Sequence, residues 1–178
     1  HSQRVVAALE SYIGLVEVGV GLLPAGGGLK EFAGRVNAWA KGGDGFPEMQ
    51  RVFRQIAMGE VSKSAEDARE RGFLKQSDLV IFHPAELLYV AKQVARAMAE
   101  AGVRPQLPPA QIPVMGDTGI ATLKMMLINM KEGGFISDHD YDIASRIATI
   151  LCGGEVEPGS IVDEKWLLDL ERHHFLAL

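Results

Sequence analysis

Apolar residues recur along this chain in two rhythms. R-V-V-A-A-L at Arg4–Leu9 and L-V-I-F at Leu79–Phe82 are short unbroken runs, of the length and type that make buried strands. Tyr12 and Ile13 offer an extension into a second strand. Elsewhere the period is helical. Leu29, Phe32, Ala33, Val36, Trp39 and Ala40 share one helical face, which Gly42 and Gly43 bring to an end. Asp44-Gly45-Phe46-Pro47 reads as a turn, with Pro47 where a helix start tolerates it, and Met49, Val52, Phe53 and Ile56 line the next helix. The pattern predicts an α/β chain: few short strands, Arg4–Leu9 and Leu79–Phe82 in one sheet, then mostly helix with a helical C-terminal tail.

The punctuation supports this division. Ser64 caps a short helix and Asp67 completes a capping box, while Gly72 ends that helix in the left-handed conformation. Pro84 opens a helix whose apolar side is Leu87, Leu88, Val90, Ala91, Val94, Ala95 and Met98. Ala101–Pro105 ends it, and Pro105-Gln106-Leu107-Pro108-Pro109 is expected to run extended. Ile120–Met130 is a strongly apolar helix carrying Met125, Met126 and Met130; methionines on one face bind flexible acyl chains or, more commonly, fill gaps between packed helices. Ser137 caps the next helix through Asp140. The alternation of Asp138, Asp140 and Asp142 is therefore capping, without the Gly and terminal Glu of a calcium loop, and no metal site is expected. Cys152-Gly153-Gly154 stops that helix. A last one runs from Asp163 with Trp166, Leu167, Leu170 and Phe175 apolar, and His173 and His174, lacking metal spacing, are expected in solvent.

Composition narrows the function classes. With 178 residues and 47% hydrophobic content, the chain can fill one core or one core with an appendage. Its 18 basic and 23 acidic residues leave a net charge of −5 and no basic block, which argues against nucleic acid as a partner. The lone Cys152 excludes a disulfide framework and suits a reducing, cytoplasmic compartment. Charged residues interrupt every apolar stretch, so no membrane span is predicted.

The candidate chemistry sits in Ser11–Lys30, S-Y-I-G-L-V-E-V-G-V-G-L-L-P-A-G-G-G-L-K. Glu17 stands between Val16 and Val18, and burying its carboxylate costs free energy unless the fold needs it there. Gly26, Gly27 and Gly28 then mark a tight turn or a close backbone approach just before a helix beginning near Lys30. Two readings stay open at this point: Glu17 as a solvated residue on an edge strand, or as an isolated acid forming half of an active site. The glycines likewise serve a turn or a ligand. A phosphate-binding P-loop is set aside, because the Lys-Ser/Thr that should follow is missing.

E-V-G-V-G-L-L-P-A-G-G-G resembles the second signature of the crotonase (enoyl-CoA hydratase/isomerase) superfamily. Gly14, Glu17, Gly21, Pro24, Gly27 and Gly28 match in register, while Val16 replaces the usual Pro and Ala25 a common Gly. Val61–Pro84 is similar to a later segment of that family. The resemblance covers about Arg4–Ala99, and it implies the C-terminal part of a crotonase-like ββα spiral over 1–104, with a helical insertion at about 36–58, and a helical extension over 105–178. It also implies that a chain opening directly on a buried strand is a C-terminal fragment. The nearest likeness is to the hydratase part of bacterial 3-hydroxyacyl-CoA dehydrogenase/enoyl-CoA hydratase fusion proteins.

From that resemblance follow the expected roles. Glu17 is the catalytic acid/base at C-alpha of a 2-enoyl-CoA being hydrated in fatty-acid β-oxidation, and Gly14, Pro24, Gly26, Gly27 and Gly28 bind the substrate. No cofactor is expected in this chain, NAD belonging to a dehydrogenase part of the parent. The expected partners are an acyl-CoA thioester, the missing N-terminal part and further copies of the protein; alone, the fragment is expected to be inactive. The alternatives are a non-catalytic crotonase-like scaffold or oligomerisation module, and a helical acyl-binding domain built on Met125, Met126 and Met130.

Overall fold

The computed structural model describes residues 2–40, 42–105, 107 and 111–178. They form two compact units, each drawn from two separated stretches: His1–Gly14 with Val61–Leu107, and Leu15–Glu60 with Pro108–Leu178.

In the first unit, β1 (Val6–Ala8) pairs in parallel with β2 (Leu79–Ile81), Ala7 lying opposite Val80. Between them in sequence lies α3 (Ala65–Glu70). Ala65 and Ala68 bring this helix close to the strands, and with Ala7 and Leu74 they form the core on which Val5, Ile13, Phe73 and Val80 pack. Buried Asp78 ties the two strand starts together: its carboxylate accepts the Val5 N–H at 2.9 Å and the Lys75 N–H at 2.6 Å. A carboxylate can be buried there because backbone donors replace its water. A 3-10 turn at Pro84–Glu86 leads into α4 (Leu87–Glu100).

The second unit is helical and organised on α6 (Asp138–Leu151), whose Ile143, Ala144, Ile147, Ala148, Ile150 and Leu151 are buried on more than one side. Around it stand α1 (Gly28–Ala40), α2 (Phe46–Ala57), α5 (Gly116–Glu132) and α7 (Glu164–Leu176). Each offers a stripe at helical spacing, such as Met49, Val52, Phe53 and Ile56 on α2. Each large side chain so buried contributes roughly 1.5–3 kcal/mol. Two short strands, β3 (Ile112–Pro113) and β4 (Ile161–Val162), pair antiparallel, and Ile112, Val114 and Val162 join Ala33 and Leu167 in a second cluster.

The chain is thus mostly helical with a few short strands, and β1 and β2 lie in one sheet as the apolar runs predict. Several expectations are corrected. Each sheet has two strands among the described residues, so the spiral of ββα turns is not seen. Tyr12 and Ile13 form no strand: Ile13 exchanges hydrogen bonds with Ser62, its N–H donating to the hydroxyl and its carbonyl accepting the Ser62 N–H, each at 2.9 Å. Ser64 does cap α3, accepting the Asp67 N–H at 3.1 Å, but Asp67 turns its carboxylate to the Lys63 N–H at 2.7 Å. Leu88 and Ala95 fall off the covered stripe of α4, and His174 is half-buried. On α5 the buried face is Ile120, Leu123 and Leu127; Met125 is exposed, and Met126 and Met130 are half-buried. The capping box at Ser137 and Asp140 is present as expected. Of the Pro-rich connection, Gln106, Pro108 and Pro109 lie outside the described residues.

Candidate functional site

Glu17 does not lie on a strand. It opens a 3-10 helix, Glu17–Val20, which Gly21 closes at φ 75° with its N–H donating to Val18 O and the Leu22 N–H donating to Glu17 O. Gly19 and Gly21 leave this stretch without the β-branched continuity a strand needs, and the left-handed residue turns it back. The Gly21 carbonyl accepts from His139 Nε2 at 2.9 Å, fixing the loop to the first turn of α6. The Glu17 side chain is half-buried, and its Oε2 is closed off from solvent with no hydrogen-bond partner among the described residues. Such an oxygen is uncommon in folded proteins and is one property of a group held for a ligand.

The glycines do something else. Gly27, at φ 88°, sits just before α1 and donates its N–H to Glu171 Oε1 at 3.1 Å. Glu171 comes from α7 and is 1% exposed. Burial pushes its carboxyl up from the ordinary glutamate range, and the N–H groups of Gly27, Leu29 and Lys30 and the Lys30 charge oppose that shift. Lys30, also buried, pairs with Glu164 and with Glu31 at 3.3 Å. Burial raises the Glu31 carboxyl too, but Arg35 and Lys30 outweigh it and hold it below the usual range. A Cβ on Gly28 would stand 2.9 Å from two carbons of Leu15, so that glycine permits a close approach. Gly26 is exposed, Pro24 is buried, and Gly14 is half-buried in the first unit.

The amino end of α1 is a natural anion site, since helix N-termini present unpaired N–H groups and a positive dipole end. Here the anion is the chain's own Glu171. That residue carries no local sequence signal, being one acid among several on an amphipathic helix.

A separate cavity of about 500 Å³ opens in the second unit, lined among others by Asn37, Asp44, Phe46, Met115, Thr118 and Thr122. Asp44 Oδ1 accepts the Phe46 N–H at 2.9 Å, and Thr122 Oγ1 donates to Thr118 O at 2.8 Å. Asn37 Nδ2 donates to Pro113 O. Asp44 to Phe46 reads in the sequence as a turn, and Thr118 lies before the helix expected from Ile120, so no pattern marks them. Gly14, Glu17, Pro24, Gly26, Gly27 and Gly28 do not line it.

No protein-family model matches the chain, and no solved structure does. It is 43% identical over 175 residues to the probable 3-hydroxyacyl-CoA dehydrogenase of Bacillus subtilis (strain 168), a match covering 98% of this chain. The chain spans 22% of that curated relative's length.

This finding corrects the crotonase resemblance and the enoyl-CoA hydratase activity read from it. The similar protein is described as a dehydrogenase, and the six signature matches amount to a glycine-rich turn. Its physical basis here is an α1 entrance that glycine lets approach Leu15 and Glu171. A dehydrogenase implies a nicotinamide dinucleotide, and the glycine-rich start of α1 does not fit one. The glycine-rich helix start in this chain already holds a buried carboxylate, where a pyrophosphate would meet like charge.

Proposed function

We propose that this chain is one portion of an NAD-dependent 3-hydroxyacyl-CoA dehydrogenase of fatty-acid β-oxidation, working in the cytoplasm. The observation that carries this reading is the 43% identity, sustained over 175 residues, to the Bacillus relative. Such an enzyme would oxidise the C3 hydroxyl of a 3-hydroxyacyl-CoA to a 3-oxoacyl-CoA, and a bound dinucleotide would supply the hydride acceptor. The dinucleotide belongs, in this proposal, to polypeptide beyond the residues described.

The contribution of this portion is to hold substrate. The cavity walled by Phe46, Met115 and Pro113 has the volume of a small-molecule site, and Asn37, Thr118 and Thr122 supply the few polar groups such sites use to orient a ligand. A pantetheine arm, apolar with spaced amides, matches that mixture.

Two measurements on the full-length protein test the proposal. NADH formation from 3-hydroxyacyl-CoA tests the reaction, and its absence across chain lengths would remove the reading. Thr118→Trp fills the cavity from its exposed rim. It should raise KM for the acyl-CoA about ten-fold, the loss of ~1.4 kcal/mol of binding, with kcat and the KM for NAD unchanged. An unchanged acyl-CoA KM would exclude the cavity.

A further inference from the structure

The first unit contains a sheet that is covered on its faces and open at an edge. Ala7 and Val80 face α3, where they pack with Ala65 and Ala68. The side chains alternate to the other face, where α4 crosses β1. Such a helix–sheet–helix layering is the usual setting of parallel strands, which need both faces covered. Among the described residues two strands lie in the layer, each of 3 residues.

The edge can be read atom by atom. Leu79 N–H donates to Val5 O at 2.9 Å, and Leu9 N–H donates to Ile81 O at 2.8 Å. In a parallel ladder this turns Val5, Ala7 and Leu9 toward β2, and Leu79 and Ile81 toward β1. Val80 therefore points both its N–H and its C=O outward, and neither has a partner among the described residues. The opposite edge is partly closed, because the Ala8 carbonyl already accepts the Ser11 N–H at 3.0 Å.

The covering helix is too large for what it covers. α4 has 14 residues, a rod about 21 Å long and 10 Å across, over strands about 10 Å long. Its stripe of Leu87, Val90, Ala91, Val94 and Met98 is consequently half-buried throughout, and α4 has no buried residue. Phe82, the residue after β2, is 80% exposed, and Leu88 and Tyr89 in the first turn of α4 are 81% and 66% exposed. An edge with free hydrogen-bonding groups beside apolar surface is a template for another strand.

We infer that the outer edge of β2 is paired, in the full-length protein, by a β-strand from the rest of the same polypeptide, which also covers the exposed side of α4. The inference rests on the reading of this chain as a portion of a longer enzyme; the Bacillus relative, of which the chain matches 22%, has ample further chain to supply the strand. A backbone edge asks for a strand rather than a small ligand, and one continuous polypeptide supplies it at high effective concentration.

Hydrogen exchange of the full-length protein tests this at Val80. The peptide spanning Leu79–Phe82 should exchange the Val80 amide on the order of 100-fold more slowly than an open amide. Val80→Pro, which removes that N–H, should lower the melting temperature of the full-length protein. Open-amide exchange at Val80 would overturn the proposal. So would protection that appears only as protein concentration rises, which would assign the edge to a second copy. NAD-dependent turnover of the same sample separates the two readings: protection without turnover keeps the strand and removes the dehydrogenase, and turnover without protection does the reverse.

Discussion

Glu171 Oε1 accepts the Gly27 N–H at 3.1 Å across 144 positions of sequence, so the last helix of the chain supplies the anion at the start of α1. Its surroundings, Lys30, Glu164 and Glu31, make this the most charged buried place in the second unit. A glycine is favoured at position 27 by its left-handed φ of 88°.

Stability should respond to Glu171 in a definite direction. Burial raises its folded-state pKa above the ordinary glutamate value, so the folded state binds this proton more tightly than the unfolded chain. The resulting stabilisation is full below the unfolded pKa and is lost as pH rises through the folded one. Glu171→Gln keeps an acceptor for Gly27 and cannot titrate. In urea unfolding, the stability of the variant relative to the parent should increase as pH is raised from about 4 toward 7. A difference that stays flat over this range would mean that the carboxyl is not shifted upward.

Glu17 holds a carboxylate oxygen away from solvent without a partner, which costs free energy. Glu17→Leu keeps comparable bulk without the polar atoms and should raise stability by about 1 kcal/mol, read from the denaturation midpoint. A lower midpoint would show that the carboxylate is satisfied in solution. Turnover of the full-length variant, measured beside it, shows whether the gain is bought at the expense of activity.

Gly116 starts α5 at φ 53°, and a Cβ there would stand 2.0 Å from the Val156 carbonyl oxygen. Backbone cannot yield as a flexible side chain does. Gly116→Ala should therefore cost roughly 3 kcal/mol, combining overpacking with the left-handed penalty. Gly34→Ala, on α1 with nothing within 4 Å of its Cβ position, is the control and should be neutral or stabilising.

Cys152 is buried at the end of α6, and burial pushes its thiol up to about 12. The thiolate is the reactive form, so alkylation at pH 8 should be slow in the folded protein and fast in urea. Rapid labelling under native conditions would mean that the end of α6 opens locally.

Much of the architecture is legible in the order of residues, because it is decided within a few positions. Apolar faces mark α1, α2, α4 and α7, and a cap and a glycine stop mark α6. Ser64, Ser137 and Asp163 each accept the N–H three residues on, and Leu79–Ile81 belongs to an unbroken apolar run of strand length. These are local bonds and local faces, and their signals lie side by side in the sequence. The candidate site is less legible. The six signature residues resemble a known pattern, yet the same glycines serve equally to admit Leu15 and Glu171, and no local rule separates the uses.

What the sequence determined by itself is therefore the inventory of helices, their caps and their buried stripes, and the pairing of two apolar runs in one sheet. The tertiary structure alone decided that Glu17 opens a 3-10 helix, that Asp78 joins β1 to β2, that Thr118 and Asp44 share a cavity, and that Glu171 caps α1. The reason is physical: capping and amphipathicity are short-range and written in spacing. A buried carboxylate's partner is chosen by whichever backbone donors the packed helices bring within about 3 Å of it.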